Sequence, residues 1–406
     1  MIKTMTQFTK LTWVLLLGNF AIRTSYFMVW PFLAVILYER YGLTAVEVGG
    51  LLSLSAVFST SIGFFTGYLA DRFGRLPILM LAIALGIIAF LGLAIMTSLV
   101  SFMAFVALAT MPRALWDAPS KALMSDEIPD QSQRELAYQT LYFLVNVGAA
   151  FGPLFGLLVG LNGNVGLFAF TALAYLGMGV GLLVFWSGRH PVAIGGASVP
   201  AFSTWLSILR RDKRFLMVLA ANFIVFVVFA QSDSTLVQYL ARENVPDLAF
   251  LISSLIVLNG AIIVVAQFPL LALMRNWSIE NRLLVGCFLL LISQITMAAI
   301  NVNSYTAWLI AMAILSLGEA ILFANLNVLL DRLSPESMKA SYFGAAGLCS
   351  LGYALAPFIG GVILQSFGGV LLFLTMAFLC LLVMVIYQFS TRFSVFTGHS
   401  ESLCNT

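Results

Sequence analysis

The chain has 406 residues, of which 61% are hydrophobic and 9% are charged, and its formal net charge is +3. Soluble globular domains carry about 25% charged residues, so a water-soluble globule is excluded. Apolar runs of about 18 residues or more, the length of a membrane span, recur along the whole sequence. We therefore expect an all-α polytopic membrane protein. The basic residues are scattered among short loops, which does not favour a nucleic-acid partner.

The first apolar run, at about 11–38, follows Lys3 and Lys10. It is too long for the core of a signal peptide, and no small-residue cleavage site follows it. It therefore predicts the first of twelve spans. The other spans are expected at about 44–70, 76–97, 99–125, 136–159, 165–187, 215–240, 248–274, 281–301, 304–331, 338–364 and 369–390.

The longest hydrophilic break, at about 188–214, lies in the middle of the chain. It predicts a cytoplasmic linker with a short surface helix near 202–209. The linker would join an N-terminal half of six helices at 1–187 to a C-terminal half of six helices at 215–390. Residues 391–406 would form a cytoplasmic tail.

The basic residues also indicate the orientation in the membrane. With both termini cytoplasmic, sixteen Lys and Arg residues fall on the cytoplasmic side and two, Arg40 and Arg242, fall outside. Cytoplasmic loops of membrane proteins are enriched in Lys and Arg. Both termini are therefore predicted to be cytoplasmic, and the regular alternation favours an even number of spans.

A short charged segment joins spans 2 and 3. It reads Gly67-Tyr-Leu-Ala-Asp71-Arg72-Phe-Gly74-Arg75. Three charged residues framed by glycines in so short a segment predict a tight connection between two spans.

Span 5 contains a second pattern, Gly148-x-x-x-Gly152-Pro153-x-x-Gly156. Glycines let a neighbouring helix approach closely, and proline removes a backbone hydrogen bond and permits a kink. A related glycine-proline pattern at 347–361 in span 11 indicates an internal repeat. Two repeated halves with a binding site between them are a common plan of secondary transporters.

Five ionisable residues lie at membrane depth, where each costs about 2.5 kcal/mol or more: Arg23, Arg113, Asp117, Asp233 and Glu319. This cost makes each one a candidate functional residue. A carboxylate in a low-dielectric site can exchange a proton near neutral pH, so Asp233 and Glu319 are predicted to couple transport to protons. An ionised carboxylate could also hold a cationic substrate, and a plain hydrogen bond to a neighbouring helix is the alternative.

Arg113, Asp117 and Lys121 are spaced four residues apart and share one face of span 4. Two interpretations remain open. The three residues form a self-neutralising ion-pair ladder, or Arg113 is a conformational or proton-relay partner with Asp117 as its counter-ion. Arg23 could pair with an acid on another helix or bind an anionic group of the substrate.

Candidate substrate-binding residues are the ionisable, aromatic and polar side chains of spans that would line a central cavity: Arg23, Tyr26, Trp30, Arg113, Asp117, Tyr142, Asn146, Gln231 and Glu319. The four cysteines and two histidines lack metal-binding spacing, so no metal, disulfide or cofactor is expected. No catalytic constellation such as HExxH is present, which disfavours an enzyme, and no soluble domain is left for a sensor.

Over essentially its full length the sequence resembles the twelve-helix drug:proton antiporters of the major facilitator superfamily. The resemblance rests on the patterns at 67–75 and 148–156 and, more weakly, on Arg113. The sequence departs from the family at Trp116-Asp117-Ala118-Pro119, where a glycine is usual. It departs again at 274–282, where a second copy of the charged pattern is missing.

The resemblance implies two pseudo-symmetric six-helix halves and a conformational switch. Asp71 would face the N-terminal end of span 11, where backbone N–H groups favour an anion, and Arg75 would pair with Asp126. These contacts would stabilise the outward-open state and break on inward opening. The implied switch residues are Gly67, Asp71, Arg72, Gly74, Arg75, Asp126, Gly148, Gly152, Pro153 and Gly156.

The predicted function is proton-coupled export of small amphiphilic compounds by alternating access in a bacterial inner membrane. By the resemblance, Asp233 and Glu319 would carry protons, and Glu319 would also contact a cationic substrate. The alternative is a dedicated exporter, or a proton symporter, of an anionic metabolite or siderophore. The expected partners are the substrate, protons and the lipid bilayer, and the family implies a monomer.

Overall fold

The computed structural model of the protein describes residues 8–43, 45–159, 165–186 and 202–393, and every regular element in these ranges is a helix. The first six helices are α1 (Lys10–Tyr41), α2 (Ala45–Phe73), α3 (Arg75–Ile95), α4 (Leu99–Glu127), α5 (Gln131–Val159) and α6 (Val165–Phe185). The others are α7 (Phe202–Arg211), α8 (Lys213–Phe229), α9 (Thr235–Arg242), α10 (Leu248–Leu273), α11 (Ile279–Ala299), α12 (Tyr305–Leu333), α13 (Lys339–Ala346) and α14 (Ser350–Ser390), with 3₁₀ turns at Glu336–Met338 and Gly347–Cys349.

Seven helical segments in the described part of the chain are long and apolar enough to cross a membrane. They are Arg75–Ile95, Leu99–Glu127, Phe168–Phe185, Phe250–Leu273, Ile279–Ala299, Tyr305–Leu333 and the composite stretch Glu336–Ser390. Their length and composition fit a multi-pass membrane protein. The count of twelve spans remains a prediction.

The predicted seventh span, 215–240, is formed by two helices. A turn at 230–234 separates α8 from α9. Within it, the hydroxyls of Ser232 and Ser234 donate to backbone carbonyls about one turn earlier, at 2.7 and 2.6 Å. Such bonds compete with the hydrogen bonding of a continuous helix. The interruption places Asp233 in a turn rather than in the middle of a helix.

The predicted eleventh span, 338–364, is also composite. It begins with α13, passes through a 3₁₀ turn and continues into α14. Inside α14, Gly368 has a φ of 80° and breaks the helical backbone. Glycine adopts this conformation without a steric penalty, so Gly368 separates two helical segments within α14, close to the predicted boundary between spans 11 and 12.

Contacts between helices divide the described residues into two units. Residues between 8 and 186 group with Ser334–Gly347, and residues between 202 and 333 group with those from Leu348 onward. The segment Ser334–Gly347 contains α13, which packs against α2 and α4. The sequence-based division into two consecutive halves joined by a linker remains a prediction.

Each unit is a bundle of packed helices. In the first unit, α1 lies against α5 and α6, and α4 lies against α2 and α3. In the second unit, α14 packs on α8 and α11, and α12 packs on α10 and α11. Large apolar side chains such as Phe170, Val265 and Phe358 are exposed, which suits helices surrounded by lipid.

The short helix α7 is amphipathic. Trp205, Ile208 and Leu209 are buried, whereas Arg210 and Arg211 at its end are exposed. It lies beside α8 and covers the segment for which the sequence predicts a surface helix.

Candidate functional site

The first candidate site lies at the turn between α2 and α3 and is called the gate cluster: Asp71, Arg75, Asp126, Ala340 and Ser341. Asp71 is 2% exposed. Its carboxylate accepts hydrogen bonds from the backbone N–H groups of Ala340 at 3.3 Å and Ser341 at 2.6 Å, in the first turn of α13. First-turn N–H groups lack partners within their helix and carry partial positive charge. They therefore suit a carboxylate.

Arg75 completes the gate cluster. Its Nη1 donates to Asp71 and, at 3.0 Å, to a backbone carbonyl of its own turn, and its Nε donates to Asp126 at 3.2 Å. One guanidinium thus joins two carboxylates and ties α3 to the ends of α2 and α4. Arg72 is exposed, and its Nη1 donates to the hydroxyl of Tyr68 at 2.8 Å. These are the contacts that the resemblance implies for Asp71 and Arg75, and their role as a switch remains a prediction.

Two glycines of the charged segment have steric roles. A Cβ at Gly67 would overlap the backbone carbonyl of Ala340, so α2 and α13 meet at a distance that only glycine allows. Gly74 has a φ of 98°, a conformation that glycine adopts readily. It turns the chain from α2 into α3.

The glycine pattern of predicted span 5 lies in α5. A Cβ at Gly148 would be 2.8 Å from a hydroxyl on α1, and one at Gly152 would be 2.8 Å from the Cβ of Phe27. Both glycines therefore let α5 approach α1 closely. Pro153 and Gly156 also lie within α5, and their surroundings fall outside the described part of the chain. A switching role for the four residues remains a prediction.

The second candidate site is called the arginine cluster and contains Arg23 and Tyr26 of α1 with Arg113, Asp117 and Lys121 of α4. The Nζ of Lys121 lies 2.8 Å from a carboxylate oxygen of Asp117. The guanidinium of Arg113 lies 5.1 Å from the ring centroid of Tyr26. Arg113 and Arg23 both act electrostatically on Asp117. The first unit thus brings together four residues that the sequence predicts to bind substrate.

The arginine cluster also contacts α13. The Nζ of Lys121 lies 5.9 Å from the ring centroid of Phe343. The hydroxyl of Tyr138 donates to the backbone carbonyl of Lys121 at 2.9 Å, and its ring lies 5.7 Å from that of Phe343. The arginine cluster and the gate cluster therefore both touch α13.

Three other predicted substrate-binding residues lie on α1 and α5. The Nδ2 of Asn146 donates to the backbone carbonyl of Tyr142 at 2.9 Å, which is a local bond within α5. Trp30 lies in α1, and its side chain is outside the described part of the chain. Contact of these residues with a substrate remains a prediction.

In the second unit, Asp233 and Gln231 lie in the turn between α8 and α9. The carboxylate of Asp233 accepts a hydrogen bond from the hydroxyl of Tyr353 at 2.6 Å. Gln231 is 1% exposed, and its Nε2 donates to the carbonyls of Val227 at 3.0 Å and Ala356 at 3.1 Å. Both side chains hold the turn against α14. These contacts give Gln231 a structural role, and its predicted contact with substrate remains untested.

Glu319 lies in α12 and is 4% exposed. Its Oε2 accepts a hydrogen bond from the Nδ2 of Asn259 in α10 at 2.6 Å. The same amide lies 3.0 Å from the hydroxyl oxygen of Ser316, one turn before Glu319. A buried carboxylate in an apolar helix is thus bonded to a neutral amide. Among the described residues, no group of three or more His, Cys, Asp or Glu could hold a metal ion.

Sequence reasoning missed Tyr353 and the position of Arg282. Arg282 is 3% exposed, and it donates through Nε to the carbonyl of Met274 at 3.0 Å and through Nη2 to that of Arg275 at 2.8 Å. It closes the α10–α11 connection, which lacks the charged pattern of the α2–α3 turn. Arg282 lies near the start of α11, just as Arg75 lies at the start of α3. This equivalent position could have identified Arg282 from the sequence.

The long apolar helices and the buried carboxylate of Glu319 are features of a helical membrane protein. The sequence profile of the Major Facilitator Superfamily matches residues 15–351. The chain belongs to the major facilitator superfamily, whose members are transporters rather than enzymes.

Three curated relatives cover most of the chain. It is 27% identical over 366 residues to the uncharacterized MFS-type transporter YqjV of Bacillus subtilis (strain 168), with 88% of this chain and 87% of the relative covered. It is 28% identical to a Na(+), Li(+), K(+)/H(+) antiporter of Planococcus maritimus, with 85% and 87% covered. It is 24% identical to the multidrug resistance protein MdtH of Proteus mirabilis (strain HI4320), with 85% and 84% covered.

Two solved structures share the fold. The human organic anion transporter MFSD10 (TETRAN) matches with a TM-score of 0.73 and 16% identity, over 93% of this chain and 99% of that one. The proton:xylose symporter XylE bound to 6-bromo-6-deoxy-D-glucose matches with a TM-score of 0.68 and 15% identity, over 97% and 98%. At these identities the likeness concerns the fold alone.

Proposed function

We propose that this protein exports small amphiphilic compounds across a bacterial inner membrane in exchange for protons, by alternating access. The observation that carries the proposal is Glu319, a carboxylate that is 4% exposed in an apolar helix and bonded to the neutral amide of Asn259 at 2.6 Å. An ionised carboxylate at membrane depth is costly, and uptake of a proton removes that cost. Reversible protonation is the property that a proton carrier needs.

Asp233 is the second proposed carrier. Asp233 is exposed, lies in a turn that interrupts a predicted span, and accepts a hydrogen bond from the hydroxyl of Tyr353 at 2.6 Å. In the proposed cycle, protons from outside neutralise Asp233 and Glu319, weaken substrate binding and favour the inward-facing return. Substrate from the cytoplasm or the inner leaflet then displaces the protons inward.

The gate cluster is proposed to stabilise the outward-open state. Asp71 bonds to the backbone of α13, and Arg75 joins Asp71 to Asp126. On inward opening these side chains would lose their contacts with one another and become hydrated on the cytoplasmic side. Because the cluster contains three charged side chains, water can solvate these groups once their contacts break.

The relatives support an exchange mechanism. One is named a multidrug resistance protein and another an antiporter of alkali cations and protons. The distribution of sixteen cytoplasmic against two external basic residues supports cytoplasmic termini. We infer a monomer, as the family resemblance implies.

Everted membrane vesicles with an acidified lumen and a lumenal pH dye test this function. Addition of a transported amphiphile to the medium is expected to raise the lumenal pH in wild type, because substrate enters as protons leave. Asp233→Asn and Glu319→Gln are expected to abolish this response. Glu243→Gln, which changes an exposed acid after α9, is the matched control and should respond as wild type does. A full response in both membrane-acid variants would contradict the proposal.

A further inference from the structure

We propose that the second unit carries a binding site for the headgroup of an anionic phospholipid. The site is called the basic patch and consists of four exposed bases and two aromatic rings: Arg210, Arg211, Lys213, Phe389, Arg392 and Phe393. It lies where α8 begins and α14 ends, which is the cytoplasmic side in the predicted orientation. The inference goes beyond the proposed function, because it holds for either direction of transport and with or without proton coupling.

Two helix junctions bring the bases together. Arg210 and Arg211 lie in the last turn of α7, and a single residue, Asp212, separates them from Lys213 at the start of α8. The Nζ of Lys213 lies 6.0 Å from the ring centroid of Phe393, which follows α14. The start of α8 therefore meets the residues at the end of α14, and Arg392 joins the three bases of the α7–α8 junction.

The two rings form an apolar floor between the bases. The ring centroids of Phe389 and Phe393 are 5.8 Å apart, and the guanidinium of Arg392 lies 5.0 Å from the ring centroid of Phe389. Phe389 is 45% exposed. Bases that only face water need no such floor. A ligand with an apolar part beside a charged one makes use of both.

The basic patch also lies at the edge of the apolar surface of the helices. Along α14, large exposed apolar side chains such as Val385 continue to Phe389, and exposed Arg392 follows. Along α8 the order is reversed, because exposed Lys213 comes about one turn before exposed Leu216. Such a step from apolar to basic surface is expected where the acyl chains of a bilayer give way to the headgroups.

The acids beside the patch are bonded elsewhere. Asp212 is 3% exposed, and its carboxylate accepts the backbone N–H of Phe215 at 2.9 Å. Glu280, in α11, pairs with Arg214 at 3.1 Å. No acid of residues 8–43, 45–159, 165–186 or 202–393 lies within the 4.0 Å of an ion pair from any of the four bases. The four bases are therefore available to an anion from outside the protein.

The chemistry of these side chains suits a phosphate diester. Arginine presents a planar fork of N–H groups that can bond two phosphate oxygens at once, and lysine adds a point charge. Each Lys or Arg near an anionic membrane surface strengthens the attraction about fivefold. A zwitterionic headgroup brings a cation beside its phosphate, which weakens the attraction to the same bases. A free phosphate would use the bases but not the rings, so the patch fits a lipid.

Binding of two lipids to the purified full chain in dodecyl maltoside micelles tests the inference. Phosphatidylglycerol and phosphatidylcholine carry the same fluorescent acyl chain, and fluorescence anisotropy reports the binding of each. Wild type is expected to bind phosphatidylglycerol about tenfold or more tightly than phosphatidylcholine, and added salt should reduce this preference by screening. Equal affinities would overturn the inference. Displacement of phosphatidylglycerol by millimolar inorganic phosphate would also overturn it, because the site would then be one for a free anion.

Variants then assign the preference to the basic patch. Two double variants, Arg210→Gln with Arg211→Gln and Lys213→Gln with Arg392→Gln, are each expected to weaken phosphatidylglycerol binding about tenfold or more. Phosphatidylcholine binding should stay at the wild-type level and thereby report an intact fold. Arg210→Lys with Arg211→Lys should lose less affinity, because the charges are kept and only the guanidinium forks are lost. A full preference for phosphatidylglycerol in both double Gln variants would overturn the assignment.

The matched control is Arg40→Gln with Arg242→Gln. It also removes two exposed bases, both on the external side in the predicted orientation. This variant should bind both lipids as wild type does. An equal loss of phosphatidylglycerol binding in the control and in the patch variants would mean that overall charge alone sets the preference, and would overturn the site.

Discussion

The carboxylate of Asp71 accepts a hydrogen bond of 2.6 Å from the backbone N–H of Ser341, a residue 270 positions later in the chain. Asp71→Asn removes the charge and puts an NH₂ donor where only an acceptor fits. Hydrogen bonds to charged groups contribute about 1.5–3 kcal/mol, so local opening of α13 should become about tenfold to hundredfold more frequent. Hydrogen–deuterium exchange of peptides that span 336–346 measures this change.

The matched control for Asp71→Asn is Arg72→Gln. Arg72 belongs to the same turn but is exposed and bonds to Tyr68. Exchange at 336–346 should stay at the wild-type rate in this variant. Equal exchange in Asp71→Asn and wild type would show that the bond to α13 contributes nothing.

Gly67 and Gly63 lie one turn apart on α2 and make a matched pair for a second prediction. A Cβ at Gly67 would overlap the backbone carbonyl of Ala340, whereas one at Gly63 would lie 3.8 Å from the Cβ of Ala114, an ordinary contact. Gly67→Ala should therefore destabilise the protein by about 1–3 kcal/mol through overpacking, and Gly63→Ala should be nearly neutral. Thermal unfolding of the purified variants compares them, and equal midpoints would refute the close approach of α2 and α13.

The bond between Asn259 and Glu319 is open to a double-mutant cycle. Asn259→Leu removes the amide that donates to the buried carboxylate at 2.6 Å, which should cost about 1.5–3 kcal/mol. In a Glu319→Gln background the same change removes a bond between neutral groups and should cost about 0.5–1.5 kcal/mol. Unfolding midpoints of the four proteins give the coupling energy. Additive effects would mean that the two side chains do not interact.

Asp130, before α5, predicts a pH dependence outside the membrane spans. The hydroxyl of Ser132 at 2.6 Å and the backbone N–H of Gln133 at 2.7 Å donate to its carboxylate and hold its pKa below its usual range. A lowered pKa stabilises the fold above the pKa of the unfolded chain, and this contribution is lost as the pH falls through the lowered value. Asp130→Asn keeps an acceptor oxygen but does not titrate. Unfolding midpoints between about pH 6 and about pH 3 should fall less in the variant than in wild type, and parallel curves would contradict the prediction.

The turn at the gate cluster could be predicted from the sequence because its chemistry is local. Glycines at 67 and 74 and the charges between them indicate a tight connection. The partners of the cluster are not local: Ser341 is 270 positions from Asp71 and Asp126 is 51 positions from Arg75. Only the family resemblance pointed to these two contacts.

The partners of the membrane acids could not be predicted from the sequence. Tyr353 lies 120 positions after Asp233, and Asn259 lies 60 positions before Glu319. Their meeting depends on how each helix is rotated about its axis, which hydropathy does not encode. The turn at 230–234 was missed for a related reason: the predicted span continues through it, while two serine hydroxyls set the local hydrogen bonding.

The central property proposed for this transporter is the coupling of substrate movement to proton movement through Glu319. The most direct measurement uses the purified protein in liposomes, with a substrate gradient, no imposed pH gradient and a lumenal pH dye. Wild type should move protons against the direction of substrate flow, and Glu319→Gln should move none. Substrate flow in wild type without any change of lumenal pH would contradict proton antiport.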